Sequence, residues 1–196
     1  MMSRLQQQLA QYASYHRDAR NVATHFVGIP LIVLALCALM SRPALALGAW
    51  SLSPALALAL AACVFYLLLD VPLGLAMSLL FALALGAGAW AAARPTAVWL
   101  GLSLGAFVLG WLLQLAGHAW EGRKPAFVDD LVGLLVGPLF VVAEAAFLLG
   151  LRKPLRAAVD AEADRLRAGF NAARAASTRA PDRCGTPTGV SDPPSR

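Results

Sequence analysis

The chain has 196 residues, of which 59% are hydrophobic and 14% are charged, and its mean hydropathy is +0.66. Soluble domains carry about 25% charged residues, so this composition excludes a water-soluble globular protein, and the length allows one domain. Nine of the 16 Lys and Arg residues follow Gly150, so the formal charge of +5 belongs mainly to the C-terminal tail. The sequence therefore predicts an all-α, polytopic bundle of transmembrane helices that lies in a lipid bilayer and binds no nucleic acid.

The N-terminal segment, residues 3–17, has the pattern of a short amphipathic helix. Leu5 and Leu9 recur at helical spacing with the tyrosines that follow, so we expect this face to lie at the membrane interface. Residues 18–21 break the pattern. Asn21 is a suitable N-cap for the helix that follows them.

Four apolar runs come next, at residues 22–40, 54–69, 73–93 and 97–117. Each is close to the ~20 residues that a helix needs to cross ~30 Å of hydrocarbon. Only a tight hairpin fits between the second and third runs, and we expect Asp70 to cap a helix there. The sequence thus predicts about four full spans.

The run from Phe127 to Gly150 allows two interpretations. It can form a fifth span, or a membrane segment broken at Gly137 and Pro138, whose freed backbone groups other parts of the protein would have to cover. Basic residues flank both ends of the apolar region, and such residues normally lie on the cytoplasmic side. This favours four spans and a broken segment, with both termini cytoplasmic. We expect an integral, multi-pass protein of the inner or plasma membrane in a bacterium, or of the endoplasmic reticulum in a eukaryote.

The expected membrane-embedded domain is residues 1–153. Beyond it, residues 154–177 carry mixed charges at helical spacing and predict an amphipathic surface helix. Residues 178–196 are rich in Pro, Gly, Ser and Thr, a composition typical of disorder. The sequence leaves the oligomeric state open.

The chain contains three histidines, His16, His25 and His118, and the predicted topology places all three on one side of the membrane. His16 and His25 are nine residues apart and would face opposite ways on a straight helix, so they can meet only if the chain turns between them. Imidazole suits iron, zinc and copper, and a few histidines leave coordination positions free for other ligands. A metal site and three separate interfacial histidines are the alternatives at this point. Glu121 shares a face with His118 if the fourth helix continues past Gly117.

Two segments, YASYHRDARNVATHFVGIPLIVLAL and QLAGHAWEGRKPAFVDDLVGLLVGPLFVVAE, resemble a family of small integral membrane proteins. Its characterised members are iron-dependent 2-hydroxy fatty acid dioxygenases of lipid α-oxidation. The resemblance covers about residues 5–155 and rests on YH, NxxxH and GxP, then QxxGH, a basic-Pro-Ala step, and GP followed by Glu. The matching positions are His16, Asn21, His25, Gly28, Pro30, Gln114, Gly117, His118, Arg123, Pro125, Ala126, Asp129, Gly137 or Pro138, and Glu144. The chain departs from the family at Gly122, where a basic residue is common, and at Asp130, where many members have Asn.

The resemblance implies Fe²⁺ bound by His16, His25 and His118. It also implies a reaction in which a 2-hydroxy fatty acid and O₂ give the fatty acid one carbon shorter and CO₂. Glu121 and Arg123 are then the candidate catalytic residues. Arg123 suits the substrate carboxylate, because a guanidinium binds a carboxylate through two hydrogen bonds, and a lipid headgroup is its alternative partner.

Two other functions are compatible with the sequence. The protein can be a non-enzymatic membrane scaffold or lipid-binding protein that keeps the motifs. It can also be a small transporter, in which Glu144 and a broken segment at Gly137 and Pro138 would be the working parts.

Overall fold

A computed structural model describes residues 2–47, 50–122 and 132–179. Within these ranges the chain forms seven helices: α1 (Arg4–Tyr15), α2 (Ala19–Ser41), α3 (Pro54–Leu69), α4 (Val71–Ala92), α5 (Thr96–Glu121), α6 (Val132–Leu148) and α7 (Lys153–Arg179). A short antiparallel hairpin joins α2 to α3 and consists of β1 (Leu45–Leu47) and β2 (Trp50–Leu52). The predicted all-α class is confirmed, and this small hairpin is the element that the sequence did not indicate.

Three of the helices, α2, α4 and α5, are long and apolar enough to cross a membrane, with 23, 22 and 26 residues. Large apolar side chains such as Leu68, Leu79 and Leu112 are exposed on the outside of the bundle, as expected of surfaces that face lipid. The helices α3 and α6 are apolar but have only 16 and 17 residues, fewer than the ~20 of a full span. The helical fold with long apolar helices is confirmed, and the count of four full spans stays a prediction.

The start of α2 differs from the prediction. Asp18 is the N-cap, and its carboxylate accepts a hydrogen bond from the backbone N–H of Arg20 at 2.9 Å. The expected cap, Asn21, lies inside the helix and is fully buried. The chain therefore turns between His16 and Asp18, and the helix begins three residues earlier than the sequence suggested, because an aspartate is as good a cap as an asparagine and comes first.

Asp70 ends α3 and begins α4, as predicted. Its carboxylate accepts a hydrogen bond from the backbone N–H of Leu73 at 3.0 Å and pairs with the guanidinium of Arg152 at 2.5 Å. Partial burial favours the protonated acid, but Arg152 and the capped N–H together hold the pKa of Asp70 below its usual value. The ion pair fastens the start of α7 to the hairpin between α3 and α4.

The expected break at Gly137 and Pro138 is wrong, because α6 runs through both residues without interruption. Pro138 has no N–H to donate to the Leu134 carbonyl four residues earlier, and the next carbonyl of this turn, that of Leu135, accepts a hydrogen bond from the Tyr66 hydroxyl at 2.8 Å. The last turn of α5 lies at one end of the bundle. Arg152, which follows α6, lies at the same end, because it pairs with Asp70 in the hairpin between α3 and α4.

The apolar face of α1 lies inside the protein, whereas the sequence suggested the membrane interface. Leu5 and Leu9 are buried in a core cluster that also contains Tyr66 of α3, Leu139 of α6 and Val159 of α7. The cluster sits at the end of the bundle that carries the α3–α4 hairpin. It fixes α1, and with it the turn into α2, against the membrane helices.

The contact between α2 and α5 depends on glycine. A Cβ atom on Gly28 would lie only 2.9 Å from the Gly110 carbonyl oxygen, and one on Gly117 would overlap the side chains of Asn21 and Thr24. Small residues allow helix backbones to approach closely in a membrane, where packing drives association. This close approach brings the first turns of α2 against the last turns of α5.

The substitution Gly117→Ala tests this contact. We expect it to force α2 and α5 apart at a cost of about 1–3 kcal/mol, which is typical of overpacking. The thermal unfolding midpoint of the detergent-purified protein should then fall by about 2–10 °C.

Gly105→Ala is the matched control on the same helix, because a Cβ at Gly105 would have no neighbour within 4 Å. We expect its midpoint to equal that of the wild type. Equal midpoints for the two variants would show that the α2–α5 contact tolerates a methyl group.

Candidate metal centre

The three histidines meet at one end of the bundle. His16 is the C-cap of α1, His25 lies in the second turn of α2, and His118 lies in the last turn of α5. All three side chains are buried, and the ring centroids are 4.5 Å apart for His16 and His25, 5.0 Å for His16 and His118, and 5.2 Å for His25 and His118. The turn between α1 and α2 is what lets the first two converge.

Backbone carbonyls one turn earlier orient two of the rings. Nδ1 of His16 lies 2.7 Å from the Tyr12 carbonyl oxygen, and Nδ1 of His25 lies 2.8 Å from that of Asn21. A carbonyl can only accept, so each Nδ1 carries the proton and each Nε2 keeps a free lone pair. Nε2 of His16 and Nδ1 of His118 are buried and have no hydrogen-bond partner among the described residues.

These nitrogens fit a transition-metal ion. One nitrogen from each histidine lies within 4.8 Å of the others, and neighbouring nitrogens bound to one ion are roughly 3.0–3.4 Å apart, given metal–nitrogen bonds of about 2.1 Å and tetrahedral or octahedral angles. Small movements of the rings are therefore enough to close the site. Three neutral imidazoles suit iron, zinc or copper and leave positions open for further ligands.

Burial keeps the site neutral. Burial lowers the pKa of His16 well below its usual value, and the neighbouring rings of His25 and His118 lower it further. At neutral pH His16 is therefore uncharged. A metal ligand must be deprotonated, so no proton has to leave this ring before an ion can bind.

Aromatic side chains shield one side of the histidine triad. The Tyr12 ring stacks on His16 with centroids 4.2 Å apart and planes 8° from parallel, and Phe140 of α6 lies 4.9 Å from Tyr12 and 5.8 Å from His16. The helical spacing of the N-terminal segment suggested that Tyr12 lies at the membrane interface. Its position four residues before His16 places both on one helix face, and this spacing could have indicated the contact.

Glu121 lies beside the triad, with its side chain only 1% exposed. One carboxylate oxygen accepts hydrogen bonds from the backbone N–H groups of Arg17 at 2.9 Å and Asp18 at 2.7 Å, and from the Asn21 amide at 3.4 Å. The other oxygen pairs with Arg167 of α7 at 2.8 Å. The helix α5 continues past Gly117 to Glu121, so the condition for Glu121 and His118 to share a face is met. The carboxylate ties the α1–α2 turn to the end of this helix.

Two cavities flank the triad. One has a volume of about 310 Å³, lies between α2, α5 and α6, and is mostly apolar except where His25 and His118 line it. The other has about 560 Å³, and its walls include the polar side chains of His16, Glu144 and Arg156 beside apolar ones. The site therefore has an apolar approach and a polar approach on different sides.

Arg123, the second candidate catalytic residue, lies outside the described residues, as do Lys124, Asp129 and Asp130. The described part of the site consists of the histidine triad, its aromatic wall and the buried Glu121.

Comparison with known proteins gives the family. The sequence profile described as 2-hydroxy-palmitic acid dioxygenase Mpo1-like matches residues 2–149. The chain belongs to the Mpo1-like family. A curated relative, the 2-hydroxy-palmitic acid dioxygenase MPO1 of Saccharomyces cerevisiae, is 41% identical over 59 residues, which are 29% of this chain and 34% of the relative. The match thus spans about a third of the relative's length, and no solved structure matches the chain.

The helix α7 lies beyond the residues that match the Mpo1-like profile, yet it holds the site together. Arg17, next to the first histidine, pairs with Asp160 at 2.9 Å and Asp164 at 2.5 Å, and Arg167 neutralises the buried Glu121. Removing one partner of a buried ion pair is costly, because the other charge stays behind. The helix therefore acts as a strap over the turn that carries His16.

The substitution Arg167→Ala tests this strap. It leaves the Glu121 carboxylate buried without its cationic partner, so the α1–α2 turn should loosen and His16 should lose its position. We expect Fe²⁺ affinity of the detergent-purified protein to fall by about 10-fold, within the range found when partners of metal ligands are lost.

Arg165→Ala is the control, because the exposed Arg165 pairs with Glu162 of its own helix, and the substitution should leave affinity unchanged. Arg167→Lys keeps the charge and should restore most of the affinity. If the two alanine variants bind Fe²⁺ equally well, the strap does not position the site.

Proposed function

We propose that this protein is an Fe²⁺-dependent membrane dioxygenase that acts on 2-hydroxy fatty acids. The histidine triad carries the proposal, since two of its buried nitrogens have no hydrogen-bond partner in the described part of the chain and the chain belongs to the Mpo1-like family. The yeast relative is named for an activity on 2-hydroxy-palmitic acid. The apolar cavity that reaches His25 and His118 offers space for a long acyl chain.

The proposed reaction converts a 2-hydroxy fatty acid and O₂ into the fatty acid one carbon shorter, CO₂ and water. The bond between C1 and C2 breaks, C1 leaves as CO₂, and C2 becomes the new carboxyl carbon. Oxidation of these two carbons releases four electrons, and reduction of both oxygen atoms of O₂ consumes four. The reaction therefore needs no separate reductant.

Bound Fe²⁺ would supply Lewis acidity and open coordination positions for the hydroxy-carboxylate head of the substrate and for O₂. The protein's part is to hold three imidazoles together, and the Tyr12 and Asn21 carbonyls fix the tautomers of two of them, His16 and His25. The aromatic wall of Tyr12 and Phe140 keeps bulk water from one side of the triad. Glu121 acts in this proposal by positioning the His16 turn, because its carboxylate oxygens are already engaged.

Arg123 is proposed to neutralise the substrate carboxylate. It follows Glu121 by two residues in the sequence, and a guanidinium binds a carboxylate through two parallel hydrogen bonds. The bilayer is the proposed source of the substrate, and both termini are proposed to lie on the cytoplasmic side.

The substitution His118→Ala tests the proposal. We expect Fe²⁺ retention and formation of the shortened acid to fall by more than about 100-fold, because a lost ligand costs more than a lost partner of a ligand. Metal analysis of the detergent-purified protein and mass spectrometry of the product from 2-hydroxypalmitate measure the two quantities.

Leu115→Ala is the control, since Leu115 lies on the same helix with its side chain exposed, and it should keep full activity. A wild-type protein that holds no metal and leaves 2-hydroxypalmitate unchanged with Fe²⁺ under air would instead favour a scaffold or lipid-binding protein. The transporter alternative expects Glu144→Gln to harm function more than any histidine change, and it loses one of its supports because α6 is unbroken.

A further inference from the structure

We propose that the apolar cavity between α2, α5 and α6 is the acyl-chain site, and that the Gln114 amide at its polar end binds the head group of the 2-hydroxy fatty acid. This inference rests on the proposed function. It adds where each part of the substrate binds and which residues select the length of the acyl chain.

The cavity has one polar end and one apolar end. Its volume of about 310 Å³ falls within the range of about 300–1,000 Å³ that is typical of small-molecule sites. His25, His118 and Gln114 line the polar end, and the remaining walls are almost entirely apolar. An amphipathic ligand with a single polar head matches this arrangement.

Two parallel rows of side chains give the cavity its length. The row on α2 consists of His25, Ile29, Ile32 and Leu36. The row on α5 consists of His118, Gln114, Trp111 and Phe107. Each row begins at a histidine and advances one helical turn at a time over eleven residues (36 − 25 and 118 − 107). At 1.5 Å per residue this is about 16 Å, about half of the ~30 Å hydrocarbon core. The cavity thus has the depth of the acyl tails of one leaflet.

The apolar surroundings of the cavity determine which part of a fatty acid provides its binding affinity. Lipid tails are as apolar as leucine, so a fatty acid that moves from the bilayer into an apolar cavity gains little from its chain. Binding must therefore come mainly from the polar head, and the walls must select by shape and length. Leu36, at the far end, is 38% exposed, which leaves this end open to lipid and allows a chain to enter sideways.

Gln114 supplies a donor for the head group. Its side chain is 6% exposed, and Nε2 is buried with no hydrogen-bond partner among the described residues. Gly28 leaves the space for this amide, because a Cβ there would lie 2.6 Å from Nε2. An unpaired buried donor is unfavourable, and a hydroxyl or carboxylate oxygen of the substrate would remove that cost. The amide lies one helical turn from His118, so the head would contact both.

A neighbouring cavity of about 370 Å³ lies between α2, α4 and α6, shares Ile29, Val33 and Pro138 with the first, and has apolar walls throughout. Leu34, Met77 and Phe81 line only this second cavity. It touches none of the three histidines and has no polar end. The two cavities therefore provide a comparison within one protein.

The first test is cross-linking. A 2-hydroxy fatty acid that carries a photoreactive diazirine at its methyl end is incubated with the wild-type protein in detergent and irradiated, and the labelled peptides are mapped. We expect labelling near Leu36 and Phe107. Labelling near Leu34 and Phe81, or an even distribution over the lipid-facing helices, would overturn the assignment of the cavity, and this readout requires no turnover.

The second test is chain-length selection. Leu36→Trp fills the far end, whereas Leu34→Trp is a matched control on the same helix, equally 38% exposed, that faces the other cavity. Each variant is assayed with 2-hydroxy acids from octanoate to stearate. We expect Leu36→Trp to lower kcat/KM for 2-hydroxypalmitate by at least 10-fold while 2-hydroxyoctanoate is converted as by the wild type, and Leu34→Trp to keep the wild-type profile.

The third test addresses the head group. Gln114→Leu removes the donor, so KM should rise by at least about 10-fold while the Fe²⁺ content stays at the wild-type level. An unchanged KM would overturn the role of Gln114.

If all variants keep the wild-type length profile and activity, the cavity assignment fails and the proposed function stands. If the wild type converts no 2-hydroxy acid of any length, the proposed function fails, and the cross-linking pattern still decides where the lipid binds.

Discussion

The close approach of α2 and α5 sets the positions of two of the three histidines, and the rest of the site is arranged around it. Both helices carry glycine where their backbones meet, at Gly28 and Gly117, and a methyl group at either position would collide with the facing helix. In a lipid environment, where apolar side chains gain little from leaving the solvent, such packing is a main source of helix association. The same contact places His25 one turn from the site of closest approach and His118 next to Gly117. The geometry of the triad is therefore a consequence of how near two backbones can come.

The third histidine depends on a different force. His16 belongs to a helix that lies outside the α2–α5 pair, and buried hydrogen bonds and ion pairs hold it in place. Glu121 binds two backbone N–H groups of the α1–α2 turn, and its charge is balanced by Arg167 from the far end of the described chain. A carboxylate that is 1% exposed is tolerable only with such partners, because the cost of removing it from water is several kcal/mol. The site thus joins a packing constraint inside the bundle to an electrostatic one at its end.

Local sequence patterns predicted much of this arrangement, and long-range contacts account for most of what they missed. The hydropathy runs located the helices, because apolar length is a property of each segment alone, and the nine-residue spacing of His16 and His25 required the turn that the structure contains. The sequence predicted Asn21 as the cap and the structure has Asp18. Aspartate and asparagine are equally good caps, so the local sequence does not distinguish them. Pro138 suggested a break because no local pattern shows the contact that supports its turn. In that turn the Leu135 carbonyl accepts a hydrogen bond from the Tyr66 hydroxyl, 69 residues away along the chain. The ion pair between Arg167 and Glu121 could not be predicted, because no local sequence pattern connects the two residues.

The location of the triad suits a lipid substrate, which has a polar head and an apolar chain. A fatty acid brings its carboxylate to the membrane boundary and keeps its chain among the acyl tails, so a site for its reaction has to be polar at one point and apolar immediately beyond. Three buried, uncharged imidazoles meet this demand better than carboxylate ligands would. They can hold a cation but carry no net charge of their own when it is absent, so burial costs less than it would for an acid. A bound divalent cation would then be the dominant positive charge at the triad and would attract a hydroxy-carboxylate head to the position where the apolar cavity begins.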